Sequence, residues 1–308
     1  MLDEAEDDLP PYKFPHERAL DSLEALDDMC AKDNPEPGDY PSENGRRYHR
    51  YRAGRYNFPN DQIEIDRLNL QHRLLRVVQN GVLHSAPLED PKAILDLGTG
   101  TAAVYPAAVV IGNDLSPIQM IPDPRISNVQ FEMTDFEDIW EYKPDTFDFI
   151  YGRYLLGSVT SWGRLLSQAY RALRPGGYLE LLEPLPVLQG DDGPIDNTST
   201  LALWNDNFIH AAKEAHRPVD IAPMLKETME LTGFVDVHQD VLRLRNGGPG
   251  QNYSVNVDHM PGFPAGLEGS TLKLFTRYLG DTPGGVREFL AEVKKDLRRF
   301  NHNTYCKL

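Results

Sequence analysis

The stretch Ala93-Ile94-Leu95-Asp96-Leu97-Gly98-Thr99-Gly100-Thr101 constrains this chain more than any other. An apolar run, interrupted only by one acid, leads directly into a turn carrying two glycines. Such an unalternated run is what a strand covered on both faces of a parallel sheet requires. The glycines let the backbone turn sharply and approach a ligand with no Cβ in the way. This is how an α/β sheet opens a nucleotide site at the carboxyl end of its first strand.

The pattern recurs further along the chain. Residues 108–114 read as a second strand ending in Asp114, followed by Leu115-Ser116-Pro117. An acid at that tip is placed to accept from both hydroxyls of a ribose. Residues 129–133 read as a third strand, tipped by Thr134-Asp135-Phe136. A carboxylate there can accept from an adenine amino group, and Phe136 can cover the ring face. A fourth strand spans 147–152, and Ser161 can cap the helix bearing Leu165, Leu166, Ala169 and Leu173. Arg174-Pro175-Gly176-Gly177 then turns into a fifth strand, 178–183. Strands alternating with helical segments predict an α/β fold with a parallel, doubly wound sheet.

The flanks have their own character. Residues 1–43 are acidic and Pro-rich and read as a disordered arm. Arginine and tyrosine interleave over 44–58, which suits either a lid over an anionic or aromatic ligand or an electrostatic strap onto an acidic body. Asn60 or Asp61 can cap a helix running to about residue 80, with Gly81 past its end. Beyond the fifth strand, helices bearing Leu203, Trp204, Phe208 and Ile209, then Met224 to Leu231, precede a strand over 234–244. Two more helices are expected near 266–279 and 286–299. The domain reading is therefore an arm, 1–43, and a body, 44–308. The body divides into a lid and helix (44–90), a cofactor-binding core (91–185) and substrate-side helices with a remaining strand (186–308).

Charge and cysteine usage exclude several functions. A net charge of -16 over 308 residues argues against a nucleic-acid-binding face, which needs a basic footprint. Cys30 and Cys306 make neither a disulfide framework nor a metal-ligand spacing, so no metal is expected. The first residues are acidic where a signal peptide would be basic and then apolar. No run approaches the ~18 apolar residues of a membrane span. The expectation is an intracellular protein, cytoplasmic or nuclear, with no membrane partner.

Asp96-Leu97-Gly98-Thr99-Gly100-Thr101, Asn113-Asp114-Leu115-Ser116-Pro117, the Thr134-Asp135-Phe136-Glu137-Asp138 tip and Leu173-Arg174-Pro175-Gly176-Gly177-Tyr178 together resemble class I S-adenosylmethionine-dependent methyltransferases. Asn44-Gly45-Arg46-Arg47-Tyr48, Leu70-Gln71-His72, Gly152-Arg153-Tyr154-Leu155-Leu156-Gly157-Ser158 and Val293-Lys294-Lys295-Asp296-Leu297 are similar, more narrowly, to the fungal LaeA-like methyltransferases. That group includes regulators of secondary metabolism and enzymes of biosynthetic clusters. The resemblance implies a Rossmann-like, mostly parallel sheet and S-adenosyl-L-methionine as cofactor. It implies that Asp96, Gly98, Thr99 and Gly100 approach the methionine part, that Asp114 takes the ribose with Leu115 beside the adenine, and that Asp135 and Phe136 frame the adenine edge. Arg153 would lie near the reacting centre, and Arg52, on the lid, is the candidate for the cofactor carboxylate.

The chain departs from the family pattern twice. About ten residues separate Leu97 from Ala108, too few for the helix that usually joins parallel neighbours. A shortened first crossover would leave Leu95 or Leu97 exposed, or covered by a partner. The last eight residues offer a stub of the family's final antiparallel strand. Two functions are compatible with this pattern: methyl transfer to a small molecule or protein acceptor, or a non-catalytic regulator that keeps the sheet as a scaffold for protein partners. No catalytic base is assigned; His210, His216 and Glu183 are candidates. Trp204 and Phe208 could line an apolar acceptor pocket, though such a helix stripe is more often simply core. A dinucleotide-binding dehydrogenase is disfavoured, because its third glycine and the helix after it are missing.

Overall fold

The computed structural model describes residues 40–79, 81–99, 108–116, 128–190, 195–246, 254–255, 262–299 and 304–308. The arm through residue 39, Gly100 and the first crossover from 100 to 107 lie outside them.

The centre is a five-stranded sheet built from β3 (Ala93–Leu97), β4 (Val109–Asp114), β5 (Val129–Met133), β6 (Phe147–Arg153) and β7 (Leu173–Leu182). Their spatial order is β5-β4-β3-β6-β7, and every neighbouring pair is parallel. The glycine strand is therefore central. Its alternate residues enter two different cores. Leu95 and Leu97 pack with Trp162, Leu165 and Ala169 of α2 (Trp162–Ala172), while Ile94 packs with Val110, Phe149 and Tyr151 on the opposite face. This two-sided burial is why the run shows no polar alternation.

Leu95 and Leu97 are at most 1% exposed, which overturns the expectation that the short crossover would leave them bare. The helix after β6 covers their face. On the other face the 79–92 connection lays Ala86 and Leu88 against the sheet. Asp148 ties that connection down, accepting from the backbone N–H groups of Lys92 (2.6 Å) and Ala93 (2.7 Å).

In β7 the Arg-Pro-Gly-Gly segment forms a bulge: Phe147 pairs with Leu173, yet Phe149 pairs with Tyr178. After Leu182 the chain leaves the sheet. Glu183 turns inward, and Pro184 has no N–H to give a ladder. A second sheet comes next, ordered β10-β9-β11-β8 from β8 (Leu185–Gly190), β9 (Arg243–Asn246), β10 (Ser254–Val255) and β11 (Thr304–Lys307). The expected terminal stub is β11, antiparallel to both β8 and β9. It closes this second sheet rather than the parallel one. Of the strand expected over 234–244, only its end forms: Asp236 has φ +51 and Val235 is 82% exposed, so no buried alternating face exists there.

A helical layer sits beside the sheets. It comprises α1 (Gln62–Val78), α3 (Thr200–Glu214), α4 (Ala222–Thr232), α5 (Gly262–Leu274, continuing as a π-helical turn through Leu279) and α6 (Pro283–Arg299). Leu201, Trp204, Phe208, Leu272, Leu290 and Val293 form its core. A hairpin of β1 (Ser42–Glu43) and β2 (Arg46–Arg47) leads into α1, and Asp61 caps that helix by accepting from Glu64 N at 3.1 Å. Glu43 pairs with Arg277 at 2.7 Å, so the body's structure begins slightly earlier than the change in composition at residue 44.

Candidate functional site

One cavity of about 380 Å³ opens at the carboxyl ends of β3, β4, β5 and β6. Its wall includes Asp96, Leu97, Gly98, Thr99, Asp114, Leu115, Asp135, Phe136 and Arg153. Eight of the ten residues singled out for the cofactor thus come together. Gly100 lies outside the described residues. Arg52 is not in the wall: its guanidinium pairs with Asp138 at 2.5 Å, both side chains being about two-fifths exposed.

The turn after β3 is held tightly. Gly98 has φ +60, and a Cβ added there would meet Leu155 Cδ2 at 2.9 Å. Thr99 donates its backbone N–H to Asn113 O (3.0 Å) and its hydroxyl to Asp96 O (2.9 Å). Gly112 makes this possible, since a Cβ on it would lie 2.5 Å from Thr99 Oγ1. Asn113 also accepts from Gly98 N through its side chain at 3.2 Å. The short turn is thereby stitched to the neighbouring strand.

Three of the carboxylates lining the cavity stand at or beside strand ends. Burial pushes the Asp96 carboxyl up to about 7; Arg153 pulls it down and Asp114 pushes it further up. Asp114 accepts from Ser116 N at 3.0 Å. Asp135 accepts from Glu137 N through Oδ1 at 2.9 Å, but its buried Oδ2 has no partner among the described residues. A buried acceptor left unpaired is costly unless something donates to it. Phe136 stands next in the wall, its carbonyl accepting from Trp140 Nε1 at 2.8 Å. Arg153 points its Nη2 at His72 Nδ1, 3.2 Å away.

Several wall residues escaped sequence reasoning. Glu137 and Arg217 form a buried pair at 2.9 Å, and Glu137 also accepts from the Thr160 N–H and hydroxyl, each at 2.6 Å. Two hydrogen bonds and an ion pair hold the Glu137 carboxyl below the usual range against the penalty of burial. Glu137 sits inside the Thr-Asp-Phe-Glu-Asp tip, but nothing in the sequence tied it to Arg217. The 44–58 segment is strapped down at one point and lines the cavity at others. Arg46 straps it to Asp61 (2.6 and 2.8 Å), while Arg55, Tyr56 and Phe58 enter the cavity wall.

The suggested bases do not line the cavity. Glu183 is buried and binds the turn after β6, accepting from Leu155 N (2.7 Å) and Leu156 N (2.9 Å); burial pushes it up to about 8 against those bonds. His210 and His216 are also absent from the wall. His72 is in it. Among the described residues no cluster of three or more His, Cys, Asp or Glu could hold a metal, and no helix is long and apolar enough to cross a membrane.

A parallel sheet with glycine turns and acid-tipped strands around one cavity defines a methyltransferase-like fold. A family model described as a methyltransferase domain matches residues 69–239. The chain belongs to that family, in its fungal LaeA-like group, for which S-adenosylmethionine is the methyl donor. Methyltransferase pytC of Aspergillus terreus is 36% identical to it over 94% of this chain and 92% of its own length. Secondary metabolism regulator LAE1 of Cochliobolus heterostrophus is 33% identical over 83% and 88%, respectively. Protein-methionine methyltransferase laeA of Emericella nidulans is 35% identical over 66% and 58%.

Proposed function

We propose that the chain itself transfers a methyl group from S-adenosylmethionine to an acceptor held in the same cavity. The observation that carries this reading is the unpaired, buried Oδ2 of Asp135 beside Phe136. An exocyclic adenine amine is the donor that would satisfy it, with the Phe136 ring against the base. Gly98, where a Cβ would crowd the wall, supports a close backbone approach to the methionine part. Asp114 would accept from the ribose hydroxyls next to Leu115, and Asp96, once ionised, would pair with the donor's ammonium group. Arg153, steadied by His72, is the cation in the wall suited to the donor's carboxylate, a role Arg52 is badly placed to fill.

The bound donor supplies a methyl carbon on a positively charged sulfur, an excellent leaving group. The remaining task for the protein is alignment and exclusion of water. Glu183 serves alignment by fixing the turn that carries Tyr154 and Leu155 into the wall. The functional division is then 91–185 as the donor half, with 44–90 and 186–308 as the walls around the acceptor.

Calorimetric titration of the full chain with S-adenosylmethionine tests the reading. Asp135→Asn keeps the Oδ1 acceptor and replaces Oδ2 with a donor. It should weaken binding about tenfold or more, since a hydrogen bond to a charged group contributes ~1.5–3 kcal/mol. Unchanged affinity would remove the assignment. The names of LAE1 and laeA favour a second reading, regulation of secondary metabolism through partners. If that role survives in cells carrying Asp135→Asn, it does not depend on the donor.

A further inference from the structure

On the side of α1, α3 and α5 the same cavity forms a chamber walled by aromatic rings. Tyr56, Phe58, Tyr154, Trp204 and Phe208 contribute to its wall. Trp204 and Phe208 stack at 5.4 Å between ring centres with planes 10° apart, and Tyr56 meets Phe58 edge-on at 5.1 Å. The indole N–H of Trp204 already donates to Thr271 Oγ1 (2.9 Å), so its polar edge is tied into the helical layer.

Within this aromatic wall sits an ion pair. Arg67 donates through Nε (2.9 Å) and Nη2 (2.8 Å) to Glu64 Oε1, and both residues line the cavity. The Glu64 side chain is 6% exposed. Taking such a pair out of water is expensive and rarely repaid by stability alone. The chain makes specific room for it. A Cβ on Gly266 of α5 would lie 2.6 Å from Arg67 Cδ, and one on Gly269, a turn further along, 3.2 Å from Glu64 Oε2. These two glycines let α5 close over α1 with the pair between them.

We propose that this chamber binds the methyl acceptor, and that the acceptor is a flat, ring-bearing small molecule whose hydroxyl or carbonyl oxygen docks on the Glu64–Arg67 pair. The inference rests on the methyltransferase reading for its chemical meaning, though not for the binding itself. Stacked rings supply sequence-independent contact to another flat ring. The ion pair supplies one donor and one acceptor at a fixed place, which orients the ring and rewards a polar substituent on it.

The test uses the full chain and three probes: 2-naphthol, naphthalene, and an acetylated, amidated Gly-Met-Gly peptide. S-adenosylhomocysteine affinity is measured first by calorimetry, then each probe is titrated with that product at saturation and again without it. The expected result is 2-naphthol binding about tenfold tighter than naphthalene, the step expected of a hydrogen bond to a charged group. The peptide should not bind. Joint replacement Glu64→Gln with Arg67→Met should bring the two aromatic probes level, and Trp204→Leu should weaken both. Equal binding of the two aromatics to the unaltered chain, no binding of either, or binding of the peptide instead would each overturn the proposal. If naphthol binds as described while S-adenosylhomocysteine does not, the chamber stands and the donor assignment falls.

Discussion

Asp96→Asn should stabilise the ligand-free protein, and the gain should grow with pH. Asp96 is buried at 6% exposure at the end of the central strand, with a carboxyl pushed up to about 7 from an ordinary 3.8. Its folded pKa is raised, so its neutral form suits the fold. The associated stability is complete below pH ~4 and is lost as pH rises through about 7. At pH 5 the unfolded carboxylate is largely ionised while the folded one is protonated. Between pH 5 and 8 the folded group must release nearly one proton that the unfolded group has already lost. Over roughly two pH units, at about 1.36 kcal/mol each, this costs the native state about 2.5 kcal/mol. Asparagine has the same shape and no such cost. Urea unfolding of both proteins at pH 5, 6, 7 and 8 measures the difference directly. Glu183 is also raised, to about 8, but is not among the charges acting on Asp96, so its contribution cancels in the comparison. A stability difference that stays flat from pH 5 to 8 would refute the claim that burial raises the Asp96 carboxyl in the protein without donor. The same linkage predicts that binding a donor ammonium beside Asp96 expels a proton near pH 7.

The same geometry sets other outcomes. Arg217→Met leaves Glu137 charged and buried, both side chains being no more than 6% exposed, and should cost about 3–5 kcal/mol in urea unfolding. Adding Glu137→Gln to it should recover part of that loss. Gly98→Ala places a Cβ at φ +60, 2.9 Å from Leu155, and should lower stability by about 1–2 kcal/mol. It should also weaken S-adenosylmethionine binding in calorimetry; a stability loss with full affinity would separate the turn from the site.

Much of the donor half was legible because its signals are local. An uninterrupted apolar run and a glycine pair are set by burial and by φ/ψ freedom, and acids stand near the ends of the first three parallel strands. Gly98, Asp114, Asp135 and Phe136 are placed by such local signals, Asp96, Thr99, Leu115 and Arg153 by the family resemblance, and all eight share one cavity. The strands 93–97 and 129–133 match their expected bounds for the same reason. Arg52 shows the limit of this reasoning. Its charge and place on an Arg-Tyr segment suited a carboxylate, and it met one, but that of Asp138.

The rest depended on contacts between distant residues. Whether Leu95 was covered depended on which helix reached that face, and α2, some 70 residues later, does so. Arg217 meets Glu137 across 80 residues, and Glu183 meets Leu155 across 28. Neither partner advertises the other in composition or spacing. The acceptor chamber is the clearest case. Along the sequence, Gly266 and Gly269 carry only glycine's general cost in a helix, and Glu64 with Arg67 only the i,i+3 spacing of many helix pairs. Only the closing of α5 over α1 gives both pairs their meaning, because close packing lets a glycine seat another helix's charge and lets a low-dielectric wall make that charge count.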